Sequence, residues 1–452
     1  MATKSKLKSQ IRNVLVRVPY AGRVVLGTYH QVALLRRQVA SRLNALRSPQ
    51  LPDADTVYWI DPARIVYHTN YSGGDERKPA KDRVFGHERD RGKVIGGNWD
   101  ISDFKFDDLQ ITQAIYSRIH EGTPWQKTTF YGDTLRTVAE KGVAGWGIDS
   151  ESALEAHCKG IDALIDSIRT LGYRLNHEVE IPGERKGLDS HPRYTAEISV
   201  NIGRTGRFFF QDGRHRLAVA KALGLPRVPV KVLVRHQQWN EFREFVRTLS
   251  RGGGASSHSG ELYQNALHPD LQDIPAGHAC EDRLAAIKAH VQPGQGDALD
   301  IGCNLGYFCH GLEELGYSCY AVEYLPQVAM AADKIRIAED KKFRVLTGDF
   351  FELSAAPPLR GRKFSVVLAL NIFHHFLKRE ETFLKLRQWL GTLDAETMIF
   401  EPHVASEAQM AGAYTNFGPD EFVKFILDNS TLRHAEPIHR CSDGRVVYKL
   451  WR

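Results

Sequence analysis

The chain has 452 residues, of which 42% are apolar, so length and composition predict two or three globular domains with ordinary cores. No run of about 18 apolar residues and no secretory signal occurs, which argues against a transmembrane helix and against secretion. The six cysteines lack C-x-x-C spacing, which argues against a zinc site or a disulfide framework and indicates a reducing compartment. We therefore predict a cytoplasmic protein without a structural metal centre.

Residues 1–51 are predicted to form a basic arm. Residues 1–52 contain ten Lys or Arg and no Asp or Glu, so the net charge of +6 leaves the rest of the chain at −4. Apolar residues recur in the arm at helical spacing among arginines, as in a basic amphipathic helix. Such a helix can lie on an anionic membrane, bind nucleic acid or cover its own protein, and the arm also resembles an organelle transit peptide. The membrane alternative would make the protein peripheral at the inner face of the membrane.

Residues 52–250 are predicted to form an α+β domain. It begins with strand-like runs around Tyr58–Ile60 and Arg64–Tyr67. From about residue 109 to residue 171 apolar side chains follow helical spacing, which predicts a large helical insertion. The elements expected after the insertion are strand Glu197–Ile202, strand Arg207–Phe210, helix His215–Leu223 and strand Val228–Val234.

Residues 251–280 are predicted to form a connector, because residues 251–260 have the Gly/Ser composition of a flexible linker. In residues 281–452 strands and helices alternate with short connections, which predicts a parallel, doubly wound α/β sheet. The expected strands are Asp297–Ile301, Ser318–Val322, Phe343–Thr347, Phe364–Leu370 and Thr397–Glu401. The expected helices are Tyr307–Leu315, Pro326–Glu339 and Glu380–Leu390.

The strongest motif follows the first strand of this sheet. The strand ends at Asp300, and a turn with Gly302 and Gly306 follows, where glycine lets the backbone approach a ligand closely. The next strand ends at Glu323, and an acid about 20 residues after the first glycine suits ribose hydroxyls. A dinucleotide site has a similar layout. Asp300, however, would repel pyrophosphate and would suit a cationic amino group.

This stretch resembles motif I of class I S-adenosylmethionine-dependent methyltransferases. The resemblance implies a Rossmann-like domain whose loop Asp300–Gly306, including Cys303 and Asn304, lies beneath the methionine moiety, with Glu323 on the ribose. The family more often has glycine where Asn304 stands. It also implies adenine contacts at Asp349 and Phe350.

A pocket edge is expected at Asn371, after the fourth strand. A hydroxyl acceptor benefits from a base with a pKa near neutral, and histidine is the usual choice. His374 and His375 follow the fourth strand and are the predicted catalytic residues, although a histidine pair between phenylalanines could equally be packing. Glu401 and His403, after the next strand, are further candidates.

The N-terminal region carries a second motif, where a strand delivers Asp212 and Gly213 to a turn and Arg214, His215 and Arg216 open a helix. Helix N-termini bind anions, and arginines strengthen the binding, so we predict a phosphate site; a solvated surface turn is the alternative.

This segment resembles the ParB/sulfiredoxin superfamily. The resemblance implies nucleotide binding, of ATP or CTP with Mg²⁺, by residues 212–216. Sulfiredoxin activity is not expected, because no catalytic cysteine lies at this turn. A kinase base would be Asp212, Glu184 or Asp100.

The two motifs together predict a bifunctional enzyme in which the N-terminal domain binds nucleotide and transfers phosphate and the C-terminal domain methylates a glycan or small-molecule acceptor. The architecture resembles kinase–methyltransferases that cap bacterial surface polysaccharides. One alternative is a nucleic-acid methyltransferase guided by a ParB-like module. The acidic charge beyond residue 52 and the absence of a D/N-P-P-Y/F loop disfavour that alternative. Another is a small-molecule methyltransferase regulated by nucleotide. The sequence does not predict the oligomeric state.

Overall fold

The computed structural model describes residues 51–69, 85–86, 90–175, 178, 197–252, 256–258, 260–278 and 280–452. The predicted basic arm, apart from its last residue, and the candidate base Glu184 lie outside these residues. The chain divides after Asn240 into two compact units, Met1–Asn240 and Glu241–Arg452. No described helix is long and apolar enough to cross a bilayer.

The N-terminal unit contains a mixed six-stranded sheet. Its strands are β1 (Val57–Ile60), β2 (Tyr67–His68), β3 (Lys93–Ile95), β4 (Ile198–Ile202), β5 (Phe208–Asp212) and β6 (Val228–His236). The order is β1-β6-β4-β5-β2, with β3 also paired to β6. Strands β4 and β6 are parallel, whereas β4 and β5 are antiparallel. Every residue of β4 is buried, as expected for a strand in the interior of a sheet.

Helices of this unit lie between β3 and β4 and after β5. They are α1 (Gln110–His120), α2 (Thr129–Lys141), α3 (Glu151–Leu171) and α4 (Arg214–Ala222). The predicted helical insertion is therefore confirmed. The second predicted opening run is wrong at its start, because Pro62–Arg64 form a 3₁₀ turn capped by Asp61. The proline at the first turn position favours that turn over a strand.

Helix α5 (Gln237–Ser250) starts directly after β6 and was not predicted. No glycine or proline separates the helix from the strand, so the sequence has no residue that marks the end of the strand. Its buried residues nevertheless follow helical spacing. They are Trp239, Phe242, Val246 and Leu249.

The predicted connector contains a short strand pair. Strand β7 (Ser256–His258) pairs with β8 (Glu261–Leu262) in a two-stranded antiparallel sheet. Leu262 is fully buried, and its backbone bonds to Pro275 and Gly277 at 2.8 Å each. Composition alone did not predict this pairing.

The C-terminal unit is a seven-stranded sheet with helices around it. Its strands are β9 (Asp297–Ile301), β10 (Ser318–Glu323), β11 (Arg344–Thr347), β12 (Phe364–Leu370), β13 (Ala395–Glu401), β14 (His434–Arg440) and β15 (Val446–Trp451). The order is β11-β10-β9-β12-β13-β15-β14. Strands β9 to β13 are parallel, so the predicted Rossmann-like α/β arrangement is present. The strand order reverses between β9 and β12, and open α/β sheets bind ligands at such a point.

Beyond the five predicted strands the sheet continues with two that were not predicted, and β15 runs antiparallel to both β13 and β14. Strand β14, at the edge, is largely exposed and lacks an apolar pattern.

The helices of this unit are α6 (Glu281–His290), α7 (Tyr307–Glu314), α8 (Pro326–Ala338), α9 (Phe350–Ser354), α10 (His374–Leu377), α11 (Glu380–Thr392) and α12 (Pro419–Asn429). They bury two apolar cores, one on each face of the sheet. The polar ends of β9, β10 and β12 are left for the site.

Candidate active site

A cavity of about 680 Å³ opens at the carboxyl ends of β9, β10 and β12. Nine of the residues predicted for donor binding or catalysis line it. They are Asp300, Gly302, Asn304, Glu323, Asp349, Phe350, Asn371, His374 and His375. Parallel strands end at the same edge of a sheet, which is why residues far apart in sequence meet here.

The turn after β9 has the backbone that the glycines suggested. Gly302 has φ +76°, and a Cβ there would lie 2.7 Å from Cδ1 of Ile372. Gly306 has φ +79° and immediately precedes α7. Asn304, where the family more often has glycine, has φ +51°. Asparagine tolerates this left-handed conformation better than other side chains, so the departure preserves the shape of the loop.

Two predicted residues do not line the cavity. Cys303 is fully buried in the apolar core between the sheet and its helices, and Gly306 sits at the start of α7 with Phe343 beside it. Both shape the turn from outside the cavity.

Asp300 is a buried carboxyl group with one hydrogen-bond donor, the Cys309 thiol at 3.3 Å. Burial, together with the negative charge of Glu323, raises the pKa of Asp300 to about 7. An isolated buried carboxylate is unfavourable, so a cationic group in the cavity would stabilise its charged form.

Glu323 is held by the backbone of two turns. One carboxylate oxygen accepts from the Asn304 backbone N–H at 3.0 Å and the other from Leu325 at 2.9 Å. Burial nevertheless raises the pKa of Glu323. These bonds fix the carboxylate at the end of β10 and leave lone pairs for further donors.

Asp349 caps α9, because its Oδ1 accepts from the backbone N–H of Phe351 at 2.8 Å and of Glu352 at 3.1 Å. Phe350 is buried against Phe376 and Trp389. The acid and the aromatic ring predicted beside adenine thus reach the same wall of the cavity.

The cavity lining carries both acidic and basic side chains. Its acids come from the ends of β9, β10 and β11. Its basic residues come from α6 and from the segment after β12. They are Arg283, His374, His375, Lys378 and Arg379. Such a lining suits a ligand that carries groups of both charges.

The two predicted catalytic histidines differ in environment. His374 is 3% exposed, and burial, with His375 and His403 nearby, lowers its pKa to about 3. Its Nε2 lies 3.1 Å from Oε1 of Gln409. His375 is exposed at the cavity rim, and partial burial and Lys378 lower its pKa. Of the pair, His375 has the ring that a substrate can reach.

The further candidates Glu401 and His403 have structural partners. Glu401 is 1% exposed and pairs with Arg283 at 3.0 Å and with Arg445 at 3.5 Å. His403 is buried, and its Nε2 contacts Asn416 at 2.8 Å. Neither residue lines the cavity.

Sequence reasoning missed Tyr263, Gln264 and Arg283, which line the cavity from the connector and from α6. The Tyr263 hydroxyl accepts from Nδ2 of Asn371 at 2.9 Å. Burial alone would lower the pKa of Arg283, but Glu401 raises it above its usual range. No local motif marks these residues. The only available signal was an arginine on the apolar face of α6.

The N-terminal turn has the predicted backbone. Gly213 has φ +91°, and a Cβ there would lie 2.9 Å from the Ile198 Cα. The Asp212 carboxylate accepts from the Gly213 N–H at 2.8 Å. Arg214 lies over the Trp146 ring at 5.6 Å.

Two residues of this turn are occupied by protein groups. Arg216 is 3.6 Å from the buried Glu197. The His215 ring packs against those of His157 and Trp146, and burial, followed by His157, lowers its pKa to about 3. His215 is therefore neutral at physiological pH and adds no charge for an anion.

The candidate base Asp100 is also paired. Arg204 donates to both of its carboxylate oxygens, at 2.7 and 3.0 Å. Burial would raise the pKa of Asp100, but these hydrogen bonds outweigh it and lower the pKa. Asp212, the other described candidate, lies at the end of β5.

Comparisons with known proteins agree with the C-terminal geometry. Residues 299–392 match a family model described as a methyltransferase domain. No curated protein sequence matches the chain. Among solved structures the chain is similar to monomeric WbdD at 20% identity, TM-score 0.35, over 43% of this chain and 47% of that one.

A second WbdD structure, described as a bifunctional kinase-methyltransferase, gives 19% identity and TM-score 0.36 over 46% of each chain. The PH0226 protein from Pyrococcus horikoshii gives 13% identity and TM-score 0.30 over 37% of this chain and 89% of that one. The chain thus spans about half the length of WbdD, and these low values carry no argument about activity. The family match shows that the C-terminal part of the chain contains a methyltransferase domain, over residues 299–392.

Proposed function

We propose that the C-terminal unit transfers a methyl group from S-adenosylmethionine to a hydroxyl group, and that the acceptor is a surface-polysaccharide or lipid-linked glycan. One observation carries the proposal: two buried carboxyl groups, Asp300 and Glu323, and one accessible histidine, His375, line the same cavity. The glycan acceptor is inferred because this cavity occurs in the same chain as a second motif, at residues 212–216, of the kind that binds nucleotides.

The residues fit the donor. Asp300 would hold the methionine amino group, Arg283 the methionine carboxylate and Glu323 the ribose hydroxyls, and all three residues line the cavity. The cavity-lining Asn304 and Gln264 each have a buried amide oxygen without a hydrogen-bond partner in the described part of the chain. Buried polar atoms of this kind favour a ligand that bonds to them. The bound donor supplies an activated methyl group, so the protein aligns the attack and excludes water.

His375 would remove the acceptor proton. Its lowered pKa keeps the imidazole neutral at physiological pH, which a general base needs. His374, with one ring nitrogen bonded to Gln409 and the other buried, supports His375 instead.

The test is incubation of the full chain with methyl-labelled S-adenosylmethionine and a panel of free and lipid-linked glycans, followed by mass measurement. We expect a mass gain of one methylene per acceptor. We also expect His375→Ala to lower kcat by about 10²-fold or more while the donor Kd stays within twofold. Transfer of label to none of these glycans, with transfer to nucleic acid in a parallel incubation, would replace the glycan with the alternative acceptor. Unchanged kcat in His375→Ala would exclude it as the base.

For the N-terminal unit we propose a nucleotide site at residues 212–216 that binds ATP or CTP with Mg²⁺ and supports phosphate transfer. The positive φ of Gly213 and the helix that follows it support the proposal, whereas the pairing of Arg216 with Glu197 weakens it. Calorimetry of the full chain with ATP and with CTP measures whether either nucleotide binds. We expect Arg214→Ala to weaken the binding of one of them, and intact binding would reject the site.

The basic arm of residues 1–51 is proposed to contact an anionic membrane surface. Its charge excess supports this, since each basic residue near an anionic surface contributes about 1 kcal/mol. Sedimentation with anionic vesicles should lose most of the bound protein when residues 1–50 are removed. Equal partitioning of both proteins would reject membrane contact.

A further inference from the structure

A buried histidine lies directly under the proposed base. The ring centroids of His374 and His375 are 4.0 Å apart and their planes are tilted by 36°. Nε2 of His374 faces Oε1 of Gln409, and its buried Nδ1 has no hydrogen-bond partner among the residues that the structure describes. The position of the ring and of its proton therefore depends on Gln409.

The orientation of the Gln409 amide is fixed by Glu407. Nε2 of Gln409 donates to the Glu407 carboxylate, which at neutral pH only accepts, so the amide oxygen must face His374. Glu407 is itself held by the Val404 backbone N–H at 3.0 Å and by Arg445 at 3.4 Å. Because the Gln409 oxygen accepts, Nε2 of His374 must donate. The ring is thus held in the neutral tautomer that carries its proton on Nε2.

The same amide oxygen also holds a cation. Nζ of Lys378, one helical turn after His374, lies 3.3 Å from Oε1 of Gln409. Lys378 contributes, after burial, to the lowered pKa of His375. The other titratable groups packed around the pair are His403, whose ring lies 5.7 Å from that of His374, and Glu407 behind Gln409.

We propose that Gln409 is a positioning residue of the methyl transfer: its one amide oxygen holds both the His374 ring that supports His375 and the Lys378 ammonium beside it. This inference rests on the proposed role of His375 as the base. Gln409 need not touch a reacting atom, because it acts by fixing the ring below the base and the charge next to it. Glu407 contributes by keeping the amide from flipping.

The test uses the full-length chain labelled with ¹⁵N-histidine, and the nitrogen resonances of His374 are assigned by their loss in His374→Phe. In the unchanged protein we expect His374 as the Nε2–H tautomer alone. Gln409→Met keeps the size of the side chain and removes the acceptor. It should give a mixture of both tautomers and a His375 pKa raised toward the ordinary value. Ser406→Ala, exposed on the same segment, is the matched control and should change neither.

A further variant and a kinetic measurement separate positioning from folding. Glu407→Gln keeps the Gln409 side chain but no longer fixes which way its amide faces, so it should likewise give a mixture of both tautomers. With an acceptor from the glycan panel, kcat of Gln409→Met should fall about tenfold with the donor Kd unchanged, because misplaced groups lose rate rather than binding. An unaltered tautomer and an unaltered His375 pKa in Gln409→Met would overturn the inference even if His375 is the base. If His375→Ala keeps its kcat, His375 is not the base. The His374 tautomer in Gln409→Met then still shows whether Gln409 fixes that ring.

Discussion

Replacing Asp300 with asparagine should separate the charge of the donor site from its shape. The buried carboxyl has a pKa of about 7, so only about one tenth of the protein is ionised at pH 6 and most of it at pH 8. If the cationic donor binds the ionised form, its affinity should be about tenfold weaker at pH 6 than at pH 8. The Asp300→Asn variant should lose this dependence. It should also bind about 10- to 100-fold more weakly at pH 8, since a hydrogen bond to a charged group contributes about 1.5–3 kcal/mol.

The assay is calorimetry of S-adenosylmethionine binding to the full chain between pH 6 and pH 8.5, in two buffers of different ionisation enthalpy. Below pH 7 the heat should depend on the buffer, because binding then releases the Asp300 proton. Asp297→Asn is the matched control. Asp297 lies at the start of the same strand, pairs with Arg362 and does not line the cavity. An affinity that is flat with pH in the unchanged protein, or equal binding by Asp300→Asn at pH 8, would refute the reasoning.

Three stability predictions follow from the same structure. The pKa of Asp300 is about 7 in the folded protein and 3.8 in the unfolded chain. Ionising this buried carboxyl group therefore destabilises the fold by about 4 kcal/mol, an effect that is absent below about pH 4 and complete above about pH 7. The melting temperature of the ligand-free protein should thus fall over that interval relative to Asp300→Asn. Glu401→Ala leaves two paired arginines without their buried carboxylate and should lower the free energy of unfolding in urea by about 3–5 kcal/mol. Gly213→Ala places a Cβ against the Ile198 backbone and should destabilise by about 1–3 kcal/mol; Gly224→Ala, with open space, should destabilise less.

The presence of Asp300 and Glu323 in one cavity could be predicted from sequence because each residue lies at the end of a strand. Asp300 and Glu323 end adjacent parallel strands, so recognition of the strands was enough to bring them together. The left-handed backbone of Asn304 was not predictable in the same way. It follows from the hydrogen bond between its N–H and Glu323, which is a contact between two turns.

The remaining features depend on tertiary contacts without a local signature. Arg283 reaches the cavity because α6 packs beside β13 and β14, and its partner Glu401 lies 118 residues further along the chain. In the N-terminal unit, the pairing of Arg216 with Glu197 joins two elements that sequence reasoning treated separately. The motif alone therefore overstated the charge at that turn. The resemblance of this unit to ParB and sulfiredoxin proteins stays a prediction.

The roles proposed for Asp300 and His375 require protonation states that agree. The proposed donor contact needs an ionised Asp300, and burial raises the pKa of that carboxyl group to about 7. The proposed base needs a neutral His375, and burial, with Lys378, lowers the pKa of its imidazole. Burial thus acts in opposite directions on an acid and on a base, because it disfavours the charged form of each. Above neutral pH the cavity therefore holds a fixed negative charge for the donor and a free lone pair for the acceptor. A cation bound next to Asp300 would extend that state to lower pH by lowering the pKa of its carboxyl group.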